Sequence, residues 1–262
     1  MDSSKNAIGF FDSGVGGTSI WKEVTTLLPN ENTIYLSDSK NAPYGAKTKE
    51  EIIQLCVKNT RFLLEQNCKT IVVACNTATT NAINFLRKNY NIPFIGIEPA
   101  IKPASLITKT KKIGILATKG TLNSTLFEKT ANSLKNDIII KETIGTGLVE
   151  LIENGKLNSL EITTLLHTYL QPMLAENIDA LVLGCTHYPY LTNHIRKIVG
   201  TKIQIIDSGE AVARQTKAVL NKHNLQNQSK ASAKHVLFIN KNKGVLEQLI
   251  SKKHTTIIER EF

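Results

Sequence analysis

Short apolar runs recur along the chain, and stretches with helical spacing separate them. Thr70-Ile71-Val72-Val73 and Ala180-Leu181-Val182-Leu183 read as strands buried on both faces. Between the runs, apolar residues return at every third or fourth position, as Ile52, Ile53, Leu55, Cys56, Phe62 and Leu63 do from Glu50 to Gln66. Alternation of this kind points to an α/β chain with parallel sheets covered by helices. Strands are expected at Ala7–Phe11, Asn32–Leu36, Thr70–Val73 and Phe94–Ile97. The series then restarts, with strands at Lys112–Ala117, Asp137–Lys141, Asp179–Leu183 and Lys202–Ile206. Two further strands, His235–Ile239 and Thr255–Ile258, flank a helix at Lys243–Ile250.

The restart is a repeat. In each half a strand with a polar tip and glycines comes first: Phe11-Asp12-Ser13-Gly14, then Leu116-Ala117-Thr118-Lys119-Gly120. A strand that ends in a cysteine follows: Ala74-Cys75-Asn76-Thr77-Ala78, then Gly184-Cys185-Thr186-His187-Tyr188-Pro189. The expected fold is two similar lobes, each a mostly parallel sheet flanked by helices, with the active site between them. Pro99 and Pro103 mark the crossover, and Asp207-Ser208-Gly209 marks the return. Residues 1–98 with 208–262 then form one lobe, and residues 99–207 the other. The polar stretch Asn221–Lys234 reads as a flexible surface loop.

At 262 residues the chain has ample material for a core. No apolar run reaches the roughly 18 residues of a membrane span. The start, Met1-Asp2-Ser3-Ser4-Lys5, lacks the features of a signal peptide. The expectation is a cytoplasmic protein with no membrane partner. There, Cys56, Cys68, Cys75 and Cys185 stay reduced, and their spacing is not that of a zinc site. Cys56 and Cys68 lie in or near a helical stretch and read as small core residues. The net charge is +10, but lysines are spread without interleaved aromatics, which make up 6% of the chain. That is a solvated surface and not a nucleic-acid interface, although it would help to draw in a dicarboxylate.

Two thiols facing one carbon from opposite sides can remove a proton on one face and return one on the other. That is the chemistry of a racemase without a cofactor. Each cysteine precedes a helical pattern, whose positive end favours thiolate. A single cysteine after a strand is ordinarily core packing; the matched pair of contexts is what points to chemistry. Asp12-Ser13 fits a helix cap, and equally a proton carrier beside a thiol followed by a substrate ligand. Gly14, Gly16 and Gly17 would let an anionic group approach the backbone. They lack the last glycine of a dinucleotide fingerprint, for which Ser19 stands. Asp38 to Gly45 is rich in turn residues, and Tyr44 within it can close over a small ligand. His187, two residues after Cys185, can act as its proton partner. Glu150 reads by sequence alone as a helix surface residue.

Asp12-Ser13-Gly14-Val15-Gly16-Gly17, Pro43-Tyr44-Gly45, Cys75-Asn76-Thr77-Ala78, Ile97-Glu98-Pro99-Ala100 and Gly184-Cys185-Thr186-His187-Tyr188-Pro189 resemble the motifs of bacterial glutamate racemases. Order and spacing fit from residue 7 to about residue 213; the last fifty or so residues carry no such motif. The resemblance implies interconversion of L- and D-glutamate with neither pyridoxal phosphate nor metal, supplying D-glutamate for peptidoglycan. It implies that Cys75 takes the proton of D-glutamate and Cys185 that of L-glutamate. Asp12 and His187 would assist the two thiols, with Asp38 and Glu150 as acidic residues lining the site. Asp12, Ser13, Tyr44, Gly45, Asn76, Thr77, Thr118, Thr186 and His187 would bind substrate. The partner implied is glutamate alone, with a homodimer as a further expectation. An aspartate racemase, another two-cysteine isomerase of the same superfamily and a non-catalytic two-lobed binding protein are the alternatives.

Overall fold

The computed structural model describes residues 3–134, 137–229, 231–250 and 253–262. The first part of the chain runs β1 (Ile8–Asp12), α1 (Thr18–Leu27), β2 (Thr33–Ser37), α2 (Lys49–Glu65), β3 (Thr70–Val73), α3 (Asn76–Asn89) and β4 (Phe94–Gly96). It continues with α4 (Ile101–Ile107), β5 (Lys112–Ala117), α5 (Lys119–Leu122), α6 (Thr125–Asn132), β6 (Ile139–Ile144), α7 (Leu148–Glu153) and α8 (Leu160–Ala175). The last part is β7 (Ala180–Gly184), α9 (Thr192–Val199), β8 (Gln204–Ile206), α10 (Gly209–Lys222), β9 (His235–Ile239), α11 (Lys243–Leu249) and β10 (Thr255–Glu259).

The strands form a six-stranded sheet, β10-β9-β2-β1-β3-β4, and a four-stranded sheet, β6-β5-β7-β8. The ladders are parallel in both. The order β2-β1-β3-β4 in the first sheet recurs as β6-β5-β7-β8 in the second. The sequence repeat is therefore a repeat of topology, and Cys75 and Cys185 follow equivalent strands, β3 and β7. In each sheet the winding reverses between the first and third strands of this unit. Ligands of open α/β sheets bind in the crevice at such a switch point.

The central strands β1, β3 and β7 are buried at every position, as their unbroken apolar runs require. The edge strand β6 differs. It was expected at Asp137–Lys141 but occupies Ile139–Ile144, with every residue exposed or half-buried. An edge strand needs no second apolar face, so Lys141-Glu142-Thr143 can continue it. The helical pattern from Leu122 to Ser133 forms α6 and not one helix from Leu122, because α5 ends at Leu122 and the Ser124 hydroxyl accepts the Phe127 amide and caps a new helix. α4 is an addition to the expected elements; α7, the helix that carries Glu150, is buried almost all round and so shows little periodicity.

One apolar cluster runs from the first sheet to the second. It joins Ile20, Trp21 and Val24 of α1 to Leu148 and Ile152 of α7, and to Leu183 and Tyr188 beside β7. The two sheets thus share a core directly behind the crevices. Among the described residues, no helix is long and apolar enough to cross a membrane.

The loop after α10 departs from expectation. Asn221 and Lys222 belong to the helix, and Asn227 is buried. The Glu31 carboxylate accepts the Asn227 amide at 2.8 Å and pairs with Lys69 Nζ at 2.5 Å, with both charged side chains buried. Lys69 also donates to the Ser4 carbonyl. This ion pair lies at the N-terminal ends of β2 and β3, opposite the cysteines. Lys69→Met leaves a carboxylate buried without its counter-charge. It is expected to destabilise the chain by about 3–5 kcal/mol in urea unfolding, while the folded variant keeps the site intact. A loss below about 1 kcal/mol would show the pair to be incidental.

Candidate active site

The strand ends deliver the site residues in matched pairs. β1 ends at Asp12 and leads to Ser13; β3 leads to Cys75; β5 leads to Thr118; β7 leads to Cys185. Ser13, Cys75, Thr118 and Cys185 line one small, narrow cavity. All four cysteines are free thiols. Cys185 is near enough for its charge to bear on Cys75. Cys56 and Cys68 lie in a different apolar cluster from Cys185 and do not line the cavity. Among the described residues no cluster of three or more His, Cys, Asp or Glu side chains is arranged to hold a metal ion.

The two thiols sit in opposite electrostatic settings. Cys75 is the N-cap of α3, and its sulfur accepts the Ala78 amide at 3.4 Å. Burial first, and then the charge of Asp12, nevertheless hold its thiol well above the ordinary 9.0. The helix end expected to lower it is outweighed. Cys185 does not cap an α-helix as Cys75 does: a 3₁₀ helix, Tyr188–Leu191, follows it and runs into α9 at Thr192. Its positive partner is His187, whose Nδ1 lies 3.7 Å from the sulfur. His187 Nε2 lies 2.5 Å from Glu153 Oε1. Burial alone would lower the histidine, but its bonds to Cys185 and Glu153 override that and hold it well above 6.5. His187 is therefore an imidazolium that donates from both nitrogens. The Gly16 amide, 3.3 Å from Nε2, is then a contact and not a hydrogen bond.

The glycine loop explains how this pair fits. A Cβ at Gly14 would fall on the Glu153 carboxylate, and one at Gly16 on the His187 ring. The Val15 amide donates to Glu153 Oε1 at 2.7 Å. The anionic group for which the glycines make room is the protein's own Glu153. Asp12, fully buried, accepts Gly17 N at 2.8 Å and Gly14 N at 3.2 Å, and Thr186 Oγ1 donates to it at 3.4 Å. Burial pushes its carboxyl up to about 6, against the pull of His187 and of its hydrogen bonds from Gly17 and Cys75.

The cavity wall is rich in donors. Asn76 is buried, and neither its Nδ2 nor its Oδ1 has a partner. An unpaired buried amide is costly, which makes a bound polar molecule its natural complement. Thr77 and Thr118 are joined across the crevice by their hydroxyls at 2.8 Å, and Thr121 closes the triangle at 3.2 and 3.1 Å. Ser13 Oγ stands 3.7 Å from the Cys75 sulfur. Tyr44, Gly45, Thr186 and His187 complete the wall.

Three expected residues stand elsewhere. Asp12 does not line the cavity; it lies behind Cys75, with its oxygens turned to the glycine loop. Asp38 is also behind the wall, where it holds the Tyr44 hydroxyl at 2.6 Å and accepts Asn41, Lys58 and Asn240. Glu150 is exposed and lines an outer cleft with Lys119 and Thr146, which meets the cavity at Pro43, Gly45, Thr118 and Val149. The buried carboxylate of α7 is Glu153, which the sequence reading did not single out. Residues three apart share a helix face, so helical spacing cannot rank Glu150 against Glu153.

A family model described as Asp/Glu/hydantoin racemase matches residues 18–216. A glutamate racemase of Ectopseudomonas mendocina is 44% identical over 226 residues, 86% of this chain and 86% of that one. The crystal structure of glutamate racemase isoform RacE1 from Bacillus anthracis matches with a TM-score of 0.85 at 30% identity, over 97% of this chain and 98% of that one. The crystal structure of a Francisella tularensis glutamate racemase in complex with D-glutamate matches with a TM-score of 0.83 at 28% identity, over 98% of each chain.

Asp12 affects stability with a definite sign. Its carboxyl rises from 3.8 to about 6 on folding, so the folded chain holds that proton more tightly than the unfolded chain. Stability from this group is full below pH 3.8 and is lost as pH rises to about 6. The loss is about 3 kcal/mol. Asp12→Asn removes this penalty. The variant should be more stable than the parent by about 1–3 kcal/mol near neutral pH, with the gap closing towards about pH 4 in urea unfolding. A variant less stable at neutral pH would contradict the burial argument.

Proposed function

The chain belongs to the Asp/Glu/hydantoin racemase family, and from that premise we propose that it interconverts L- and D-glutamate by carrying protons between two thiols across the α-carbon. The observation that carries this reading is the pair of reduced cysteines at equivalent strand ends, lining one small cavity, each with its own proton partner. The names of the relatives supply the substrate.

The protein's resting electrostatics favour one direction of entry. An imidazolium donating to a sulfur favours thiolate, and His187 does so at Cys185. Cys75 keeps its proton. Cys185 as thiolate then takes the α-proton of L-glutamate. The electron pair of the Cα–H bond passes into the substrate carboxylate as an enediolate. The Cys75 S–H bond breaks to give its proton to the opposite face, leaving D-glutamate, a Cys75 thiolate and a Cys185 thiol. For D-glutamate the same states run backwards, and Asp12 and His187 reset the thiols by accepting a proton from Cys75 and giving one to Cys185.

The α-proton of an amino-acid carboxylate is weakly acidic, so the enediolate needs preorganised donors in a dry site. The unpaired amide of Asn76, the hydroxyls of Ser13, Thr77 and Thr186, and the N-terminal end of α3 supply them. Each sheet is built within one of the two proposed lobes, 1–98 with 208–262 and 99–207. Closing the lobes would expel water and bring both sulfurs within contact of one carbon, roughly 6–8 Å apart. The D-glutamate formed supplies peptidoglycan synthesis in the cytoplasm.

The test is to incubate the pure protein with L-glutamate in heavy water, following optical rotation and the α-deuterium of each enantiomer. Rotation should fall to zero while early D-glutamate carries one α-deuterium and the remaining L-glutamate stays protiated. Cys75→Ser and Cys185→Ser should each reduce racemisation by more than about 1,000-fold, the scale of losing an essential proton-transfer group. Equal turnover of aspartate would assign the chain to another substrate, and parental rates in either variant would remove the two-thiol mechanism.

A further inference from the structure

The short turn between β9 and α11 touches both halves of the site. Only Lys241 separates Asn240 from Asn242. Asn240 is buried; its Nδ2 donates to Asp38 Oδ1 at 2.6 Å, and its Oδ1 accepts the Lys40 amide at 2.8 Å. Asp38 in turn fixes the hydroxyl of Tyr44, a wall of the cavity. Asn242 Nδ2 donates to the main-chain carbonyl of Glu153 at 2.9 Å. That carbonyl is in the last turn of α7, where carbonyls have no partner within the helix. Asn242 reaches it from a left-handed backbone, φ 63°, a conformation that asparagine tolerates well. Val245 of α11 packs against the shared core and lies next to Gly155, just beyond α7.

We infer that the Asn240-Lys241-Asn242 turn is a positioning element for the reaction, with Asn242 setting Glu153 against His187 and Asn240 setting Tyr44 through Asp38. The inference rests on the racemase reading for its kinetic consequences, but the geometry stands without it. The turn belongs to the last part of the chain, where no motif is recognisable, and it gives that segment a function beyond extending the sheet. The two asparagines act on different things. Glu153 governs the charge on His187 and so the proton-transfer step. Tyr44 shapes the wall and so the fit of substrate.

The experiment compares Asn242→Gly with Asn240→Ala. Glycine keeps the left-handed backbone and removes only the amide. Two readouts are taken: the pH titration of the His187 ring by NMR, which needs no substrate, and kcat and KM for glutamate. Asn242→Gly should lower the His187 titration midpoint and reduce kcat about fivefold to tenfold, the worth of one hydrogen bond, with KM within about twofold. Asn240→Ala should leave the His187 titration where it is and raise KM by a similar factor. The inference is overturned if Asn242→Gly leaves His187 and kcat unchanged, or if the two variants behave alike. A parent protein that does not racemise glutamate, with the His187 titration still moved by Asn242→Gly alone, would reject the substrate reading and keep the turn's role.

Discussion

The contact between His187 and Glu153 is the constraint around which the site is built. A histidine placed by the second sheet and a carboxylate placed by α7 meet at 2.5 Å with both side chains buried. Two charges taken out of water are tolerable only when they are paired, and hydrogen bonds to their other atoms lower the cost further. Val15 N donates to the same oxygen, Glu153 Oε1, and Cys185 meets the second ring nitrogen, while Glu153 Oε2 is buried without a hydrogen-bond partner. The first sheet must bring its backbone against this pair, which is why the loop after β1 has no side chain at Gly14 and Gly16. The pair therefore ties the two sheets together and sets a cation beside the Cys185 sulfur at the same time.

The asymmetry of the two thiols follows from the same arrangement. A cation stands beside Cys185, and an anion stands beside Cys75. A two-thiol racemase must hold one sulfur protonated and the other not, and then exchange the two states at each turnover. Opposite partners set the starting state, and the raised carboxyl of Asp12 lies close enough to neutrality to take a proton when the state reverses. The fold repeats the strand order, but not the electrostatics. The topological repeat supplies two equivalent ledges, and the different residues on them supply direction.

Much of this was legible from residue patterns. Buried runs at β3 and β7 gave away central parallel strands, and the polar or cysteine-bearing residues just after them marked the switch points. Ser13, Asn76, Thr77, Thr118, Thr186 and the two cysteines all reach the cavity from just beyond the C-terminal ends of their strands. What was not legible depends on contacts from distant segments. Glu153 is distinguished from Glu150 only by Val15 and His187, 138 and 34 residues away in the chain. Asp38 has a site motif's appearance but is turned away by Tyr44, Lys58 and Asn240. Cys185 does not cap an α-helix, because Tyr188-Pro189 opens a 3₁₀ helix, and its positive partner is a side chain two residues on.

The central claim is that His187 is a cation locked between a carboxylate and a thiolate while Cys75 carries its proton. A neutron diffraction structure of the unliganded protein at neutral pH locates those protons directly. The account predicts deuterons on both Nδ1 and Nε2 of His187, none on Glu153 Oε1 or on the Cys185 sulfur, and one on the Cys75 sulfur. A neutral His187 with the proton residing on Glu153, or a protonated Cys185 beside a bare Cys75, would contradict it.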